Sequence, residues 1–258
     1  MRTIAVTNQK GGSGKTTTAV NLAAALGEKG EHVLVIDLDP QASATSWFGL
    51  TPDARGLIDV FTGNGNLADL AHQTDVPNVE VIPSSSWLVG ADRALANEVG
   101  SELIFRRALE QLPQGRWGVV LIDCPPSLGL LAISALAAVQ EVFVPVEAHV
   151  MALAGLASLC STVERVRERL NPALRISGVL ACRVDMRKNL SREVVARLRQ
   201  RFGSLVFTTA IRENVRLAEA PSFAKPITLY DPKSTGAEDY RALGAELLMN
   251  AERRELTA

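Results

Sequence analysis

The stretch Lys10-Gly11-Gly12-Ser13-Gly14-Lys15-Thr16-Thr17 decides the fold. It follows an apolar run, Thr3 to Thr7, that reads as a strand. It opens a helical pattern near Lys15, with Val20, Ala23, Ala24 and Leu26 as the apolar stripe and Gly30 placed to end it. Strand, glycine-rich loop and helix in that order are the context a phosphate-binding P-loop requires. The glycines let the backbone curl so that successive N–H groups face one concavity, and the helix N-terminus adds its positive dipole end. In such a loop Lys15 reaches the β- and γ-phosphates and the Thr16 hydroxyl ligates Mg²⁺, while Gly11, Gly12, Ser13, Gly14 and Thr17 complete the cradle. Nucleotide binding is the expectation.

Outward from the loop, short apolar runs alternate with longer helical patterns. His32 to Ile36 reads as a strand that ends in Asp37, and Val119 to Ile122 as one that ends at Asp123. Val79 to Ile82, Glu141 to Val146, Ile176 to Ala181 and Ile227 to Tyr230 read as further strands. Helices are expected at about 101–112, 151–170, 190–202 and 236–252. The alternation predicts an α/β fold: a doubly wound, mostly parallel twisted sheet with helices on both faces. The near-continuous apolar character of the strands suits burial on both sides. The stretch from Trp47 to Asn78 is the least regular and reads as loops and short helices at one edge.

The chain has 258 residues, 47% of them hydrophobic, enough for a sizeable core and for one compact domain over residues 1–258. That excludes disorder for most of the chain. Lys plus Arg number 27 against 28 Asp plus Glu, so no field of the whole chain draws it to nucleic acid or lipid. The charge is uneven, however: residues 183–216 carry nine bases and three acids, a local +6 that leaves −7 for the rest. Cys124, Cys160 and Cys182 are too scattered for a disulfide framework or a metal knuckle, which fits a reducing cytoplasm. The N-terminal apolar stretch is too short for a secretory signal. The longest apolar-rich run, Leu128 to Val139, falls short of a membrane crossing, which takes about 20 residues.

Two further motifs carry carboxylates to strand ends, where open α/β sheets place their ligands. Asp37-Leu38-Asp39-Pro40-Gln41 puts Asp37 and Asp39 on one side by alternation. A carboxylate there orients an attacking water and binds the outer shell of a metal ion. Val119 to Ser127 has the Walker B form, in which four apolar residues drive the strand into the core and deliver Asp123 to Mg²⁺ coordination, commonly through water.

A usual P-loop has no need of Lys10. The form K-G-G-x-G-K-T-T therefore resembles the deviant Walker A motif of the ParA/MinD superfamily, in which the extra lysine reaches across a dimer interface to the partner's nucleotide. Asp37 to Gln41 resembles that superfamily's D-x-D-P-Q switch, whose second aspartate, here Asp39, supports hydrolysis. Gln41 to Thr45, Ser127 to Leu131, Leu217 to Ser222 and Tyr230 to Ala237 are similar to segments of the ParA/Soj partition ATPases, so the resemblance covers nearly the whole chain. Two positions depart from the pattern. Arg212-Glu213-Asn214-Val215-Arg216-Leu217 stands where many relatives read P-R-N-V-R-L, and Ala42 replaces a common glycine. No helix-turn-helix precedes the loop, so direct operator binding is not expected.

The resemblance implies slow, partner-stimulated ATP hydrolysis with Lys10, Lys15 and Asp39 as catalytic residues. It implies Mg²⁺ held by Thr16, Asp39 and Asp123, and the nucleotide held by the loop together with Arg183. It implies a homodimer formed with ATP that binds double-stranded DNA without sequence preference and is released by a ParB-type partner, in the cytoplasm on the nucleoid. Candidate DNA contacts are Arg187, Lys188, Arg212, Arg216, Lys225 and Lys233, because such binding is chiefly neutralisation of phosphates. Three other readings compete. A membrane-cycling ATPase of the MinD type needs a basic amphipathic C-terminal anchor, which the stretch Glu246 to Ala258, with Glu252 and Glu255 beside Arg253 and Arg254, does not provide. An iron–sulfur role needs paired cysteines, of which only Cys124 is suggestive. A ParA that positions a protein cargo is not separable by sequence.

Overall fold

The computed structural model describes residues 1–52, 55–95, 98–149 and 152–255. Its seven strands are β1 (Arg2–Val6), β2 (Val33–Asp37), β3 (His72–Gln73), β4 (Val79–Ile82), β5 (Val119–Asp123), β6 (Glu141–Glu147) and β7 (Arg175–Cys182). The helices are α1 (Lys15–Glu28), α2 (Ser43–Trp47), α3 (Leu57–Phe61), α4 (Ala91–Ala94), α5 (Ile104–Glu110), α6 (Leu130–Ala138), α7 (Ala152–Arg169), α8 (Asn189–Phe202), α9 (Val215–Glu219), α10 (Ile227–Tyr230) and α11 (Thr235–Glu255). The strands form one sheet in the order β3-β4-β2-β5-β1-β6-β7, parallel throughout except for β3 against β4.

Period-two alternation sorts the strand residues onto two faces, each with its own core. Ala5, Leu34, Ile36, Val120 and Ile122 pack with Phe105, Leu136, Leu159 and Leu198 from α5, α6, α7 and α8. Ile4, Val6, Val33, Val35, Val119 and Leu121 pack with Val20, Leu22 and Leu26 of α1 and with Tyr240, Leu243 and Leu247 of α11. This is the doubly wound architecture that the alternation of elements predicts. Register then sets the functional edge: Asp123 pairs with Val6 on one side and with Asp37 on the other. The end of the strand that feeds the P-loop therefore lies level with two carboxylates.

One element contradicts the sequence reading, and β3 and α6 are among those it does not anticipate. Ile227–Tyr230 is a helical turn, not a strand. Pro226 starts it at φ −58°, and the Ile227 N–H donates to Asn21 Oδ1 of α1 at 2.6 Å, so the segment is folded over α1 and does not extend the sheet. The two-residue β3 is too short to leave a periodicity. The apolar run that includes Leu130–Ala138 is the buried helix α6. At the cap of α2, Ala42 adopts φ +54°, which explains why glycine is common there: an L side chain is strained in that region.

Glu246 accepts from the Thr208 and Thr209 N–H groups at 2.6 and 2.9 Å. Residues 256–258 and the side chains of 251–255, including Glu252, Arg253, Arg254 and Glu255, lie outside the described residues. No helix among the described residues is long and apolar enough to cross a membrane.

Near the C-terminus of α1, Gly27 lies against the β4 entry so closely that an added Cβ would stand 2.3 Å from the Pro77 carbonyl oxygen. Glycine to alanine inside a helix ordinarily gains up to about 1 kcal/mol. Here the backbone contact wins: Gly27→Ala should lower stability by about 1–3 kcal/mol, read as a fall in Tm, whereas a gain would show that α1 moves freely on the sheet.

Candidate nucleotide site

The P-loop leaves β1 after Val6 and returns as α1. Gly12 and Gly14 take φ +72° and +92°, which only glycine adopts without strain. Gly14 caps α1, no side chain bonds into that cap, and no acid stands in the first turn. The N–H groups of this turn are therefore left for an anion. Ser13 Oγ is buried and has no hydrogen-bond partner among the described residues. Lys15 is 7% exposed, with no ion pair among the described residues.

Asp123 closes the other side. It is wholly buried, and neither carboxylate oxygen has a hydrogen-bond partner among the described residues. Burial raises its pKa well above the usual carboxylate value and Asp37 adds to the effect; the Thr16 side chain and the Lys15 charge pull the other way without cancelling it. Asp37, likewise buried, accepts from Thr45 N at 2.8 Å and Thr45 Oγ1 at 2.7 Å. Its pKa is pushed up to about 6, chiefly by burial. Asp37 thus anchors α2. Asp39 accepts from Gln41 N at 3.0 Å and lines a separate cavity of about 320 Å³ with Gln41, Pro125, Pro126 and Ser127.

A buried carboxylate without a donor, beside a hydroxyl and a lysine, fits a hydrated divalent cation that also touches phosphate: the ion would supply the charge that the protein withholds. The residues present therefore fit Mg²⁺, which Thr16 and Asp123 would hold. Cys124 and Cys182 are buried thiols with raised pKa values, that of Cys182 pushed up to about 12 by burial. No group of three or more His, Cys, Asp or Glu among the described residues makes a metal cluster.

The cavity at the P-loop has a volume of about 510 Å³, the size of a small-molecule site. Gly12, Gly14, Lys15, Thr16 and Thr17 form one wall; Cys182, Arg183, the segment 211–215 with Leu217 and Ala218, and Tyr240 form the other. Arg183, with φ +53°, does stand at this cavity. Apart from Arg183, the far wall is what sequence reasoning missed as nucleotide lining. No short motif marks it, because it is assembled from the chain after β7 and from the first turns of α11.

Lys10 points elsewhere. Its Nζ lies 2.6 Å from Glu147 Oε2, while Arg183 Nη1 lies 3.2 Å from Glu147 Oε1. Within one subunit, then, Lys10 is held at the rim and is absent from the lining of the P-loop cavity.

Four of the six DNA candidates are surface bases with acidic neighbours. Arg187, 92% exposed, pairs with Asp185, and Lys188 with Glu213 and Asp185. Arg216 pairs with Glu219 and Asp231, and Arg212 with Asp239 and Glu238. Lys225 and Lys233 are exposed and have no ion pair among the described residues.

Fold and site together define a P-loop ATPase of the kind that carries a second lysine at the head of its loop. Residues 1–176 match the protein family described as AAA domain. The sporulation initiation inhibitor protein Soj of Bacillus subtilis is 45% identical over 96% of this chain and 98% of its own length. The chromosome-partitioning ATPase Soj of Thermus thermophilus is 46% identical over 98% of this chain and 97% of its own. Among solved structures, the cobyrinic acid a,c-diamide synthase of Mycobacterium smegmatis with bound ADP and magnesium superposes with a TM-score of 0.85 at 33% identity, covering 98% of this chain and 96% of that one. The chain belongs to the ParA/Soj family of partition ATPases within the ParA/MinD superfamily.

Removing the metal tests the reading of Asp123. At a hundredfold excess over Kd, ligand binding stabilises by about 2.7 kcal/mol, so MgATP should raise Tm several degrees beyond ATP with EDTA. Asp123→Asn should abolish that magnesium increment and keep the response to ATP in EDTA. An increment retained in the variant would place the ion elsewhere.

Proposed function

We propose that residues 1–258 work as a single P-loop ATPase domain that couples ATP binding to pairing of two subunits and to attachment on DNA, and that the protein partitions chromosomal or plasmid DNA. The observation that carries the reading is the nucleotide cavity itself: a helix N-terminus with no side-chain cap, a buried lysine and an Asp123 without a hydrogen-bond partner among the described residues converge at the end of β1, in a chain that matches partition ATPases over nearly its whole length. The protein hydrolyses ATP with magnesium, which when bound neutralises charge on the phosphates. Lys15 and the first turn of α1 hold the phosphates, Thr16 and Asp123 hold the metal and its water, and Asp39 orients the attacking water.

Lys10 is assigned to the partner's nucleotide. Its ion pair with Glu147 is one-third exposed on the lysine side, and such pairs are worth about 1 kcal/mol or less, so Lys10 is free to exchange Glu147 for a phosphate across an interface. Arg183 remains to neutralise Glu147.

DNA attachment rests on the exposed bases Arg187, Lys188, Arg216, Lys225 and Lys233. The pairs of Arg187 with Asp185 and Lys188 with Glu213 lie at the surface, where screening makes them weak and easily exchanged for DNA phosphates. A ParB-type protein then triggers hydrolysis and release, which makes the ATPase a nucleoid-associated, cytoplasmic timer.

Fluorescence anisotropy with two unrelated duplexes over a salt series, with ATP and with ADP, tests this. Even two of these bases per subunit give about four phosphate contacts in a dimer, so the log-log salt slope should be at least as steep as about −3.6 at ~0.9 per contact. Charge reversal at Arg187 should weaken both duplexes alike, because phosphate contacts carry no sequence information. Binding as strong with ADP, or confined to one duplex, would contradict the proposal.

A further inference from the structure

One of the bases that the sequence offers to DNA is built into the nucleotide cavity. Ile211 N donates to Ala181 O at 2.9 Å, Val184 N to Ile211 O at 3.0 Å and Glu213 N to Val184 O at 3.1 Å, which threads this segment along the exit of β7. There Arg212 meets Asp239 of α11 with both backbone and side chain. Its N–H donates to Asp239 Oδ2 at 2.9 Å, its Nε to Oδ1 at 2.9 Å and its Nη2 to Oδ1 at 2.6 Å. Nη2 also reaches Thr235 O at 3.3 Å and Glu238 Oε2 at 3.1 Å. Asp239 is 7% exposed, so this is a nearly buried carboxylate clamped by a bidentate guanidinium.

The clamp is continuous with the cavity wall. Asn214 Nδ2 donates to Thr235 Oγ1 at 2.7 Å, and Asn214 Oδ1 accepts from Leu217 N at 3.2 Å to cap α9. Tyr240, the neighbour of Asp239, lines the cavity with its hydroxyl 3.5 Å from Thr18 Oγ1 of α1. The first turns of α11 therefore tie the segment 211–217 to the helix that the P-loop begins. With phosphates at the P-loop, the nucleoside of a nucleotide spans towards this wall.

Electrostatics separates Arg212 from the other bases. A surface ion pair such as Arg187 with Asp185 exchanges partners at little cost. Moving Arg212 onto DNA would strand the nearly buried Asp239, which is strongly unfavourable. Its Nε and Nη2 already face Asp239, Glu238 and the Thr235 carbonyl. We propose that Arg212 and Asp239 are a positioning pair that fixes the nucleoside-side wall of the cavity, so that Arg212 governs nucleotide affinity and makes no DNA contact. The inference rests on the nucleotide reading of the P-loop.

The test measures binding of MgATP and of magnesium tripolyphosphate, which lacks a nucleoside, to the full chain and to Arg212→Ala, Asp239→Ala and the double variant. Each single change should weaken MgATP about tenfold, with tripolyphosphate held within about twofold, and the double variant should be no weaker than the worse single one. DNA affinity at saturating ATP should stay within about twofold of wild type. If Asp239→Ala does not fold, Asp239→Asn, which keeps an acceptor for the Arg212 N–H, should give an intermediate loss. MgATP affinity unchanged in Arg212→Ala, equal loss for both ligands, or DNA binding lost at saturating ATP would each overturn the inference. Wild-type protein that binds neither ligand would overturn the nucleotide reading as well.

Discussion

A buried carboxylate that no hydrogen-bond donor among the described residues reaches is an expensive thing to keep, and Asp123 is one. Its position is fixed from both sides by the register that pairs it with Val6 and Asp37, deep in the central strands. The fold supports that cost with two hydrophobic layers, and the arrangement fits a cation that Asp123 and Thr16 would hold beside a phosphate that Lys15 would neutralise. Ligand and fold are thus parts of one charge balance: the P-loop offers positive dipole ends and a lysine, the neighbouring strands offer carboxylates, and nucleotide with metal completes both.

The rim of the site is built differently from its floor. The floor charges are buried and specific; the rim charges, Lys10 with Glu147 and Arg187 with Asp185, are exposed pairs that solvent weakens. That contrast is what a switch needs. In the proposed cycle, exchangeable pairs let the same side chains serve one subunit at rest and a partner subunit or a DNA phosphate when ATP is bound. Arg212 shows the boundary between the two regimes: it is a base by sequence, yet its bond to the nearly buried Asp239 ties it to the cavity wall.

Much of this is legible in the sequence because it is local. The P-loop, Asp37 to Gln41 and the strand ending at Asp123 each announce themselves through apolar runs that stop at polar residues, and six of the seven strands follow from such runs. What is not legible depends on distant partners. Ile227 to Tyr230 has the composition of a strand, but Asn21 takes its first N–H and Pro226 turns it into a helix over α1. The nucleoside-side wall joins residues 211–218 to Tyr240, and no periodicity or spacing connects those two places. Likewise the cis pairing of Lys10 with Glu147 spans 137 positions and follows only from the β1–β6 pairing.

The central claim is that ATP acts as the bond between two subunits, each completing the other's site with Lys10. It is met most directly by ATP turnover in a mixture of Lys10→Ala and Asp39→Ala subunits, each inactive alone. In the mixed dimer one site keeps its own Lys15 and Asp39 and receives Lys10 from its partner, so the account predicts that turnover returns on mixing. A mixture that hydrolyses no faster than either variant, with the mixed dimer demonstrated by mass, would contradict it.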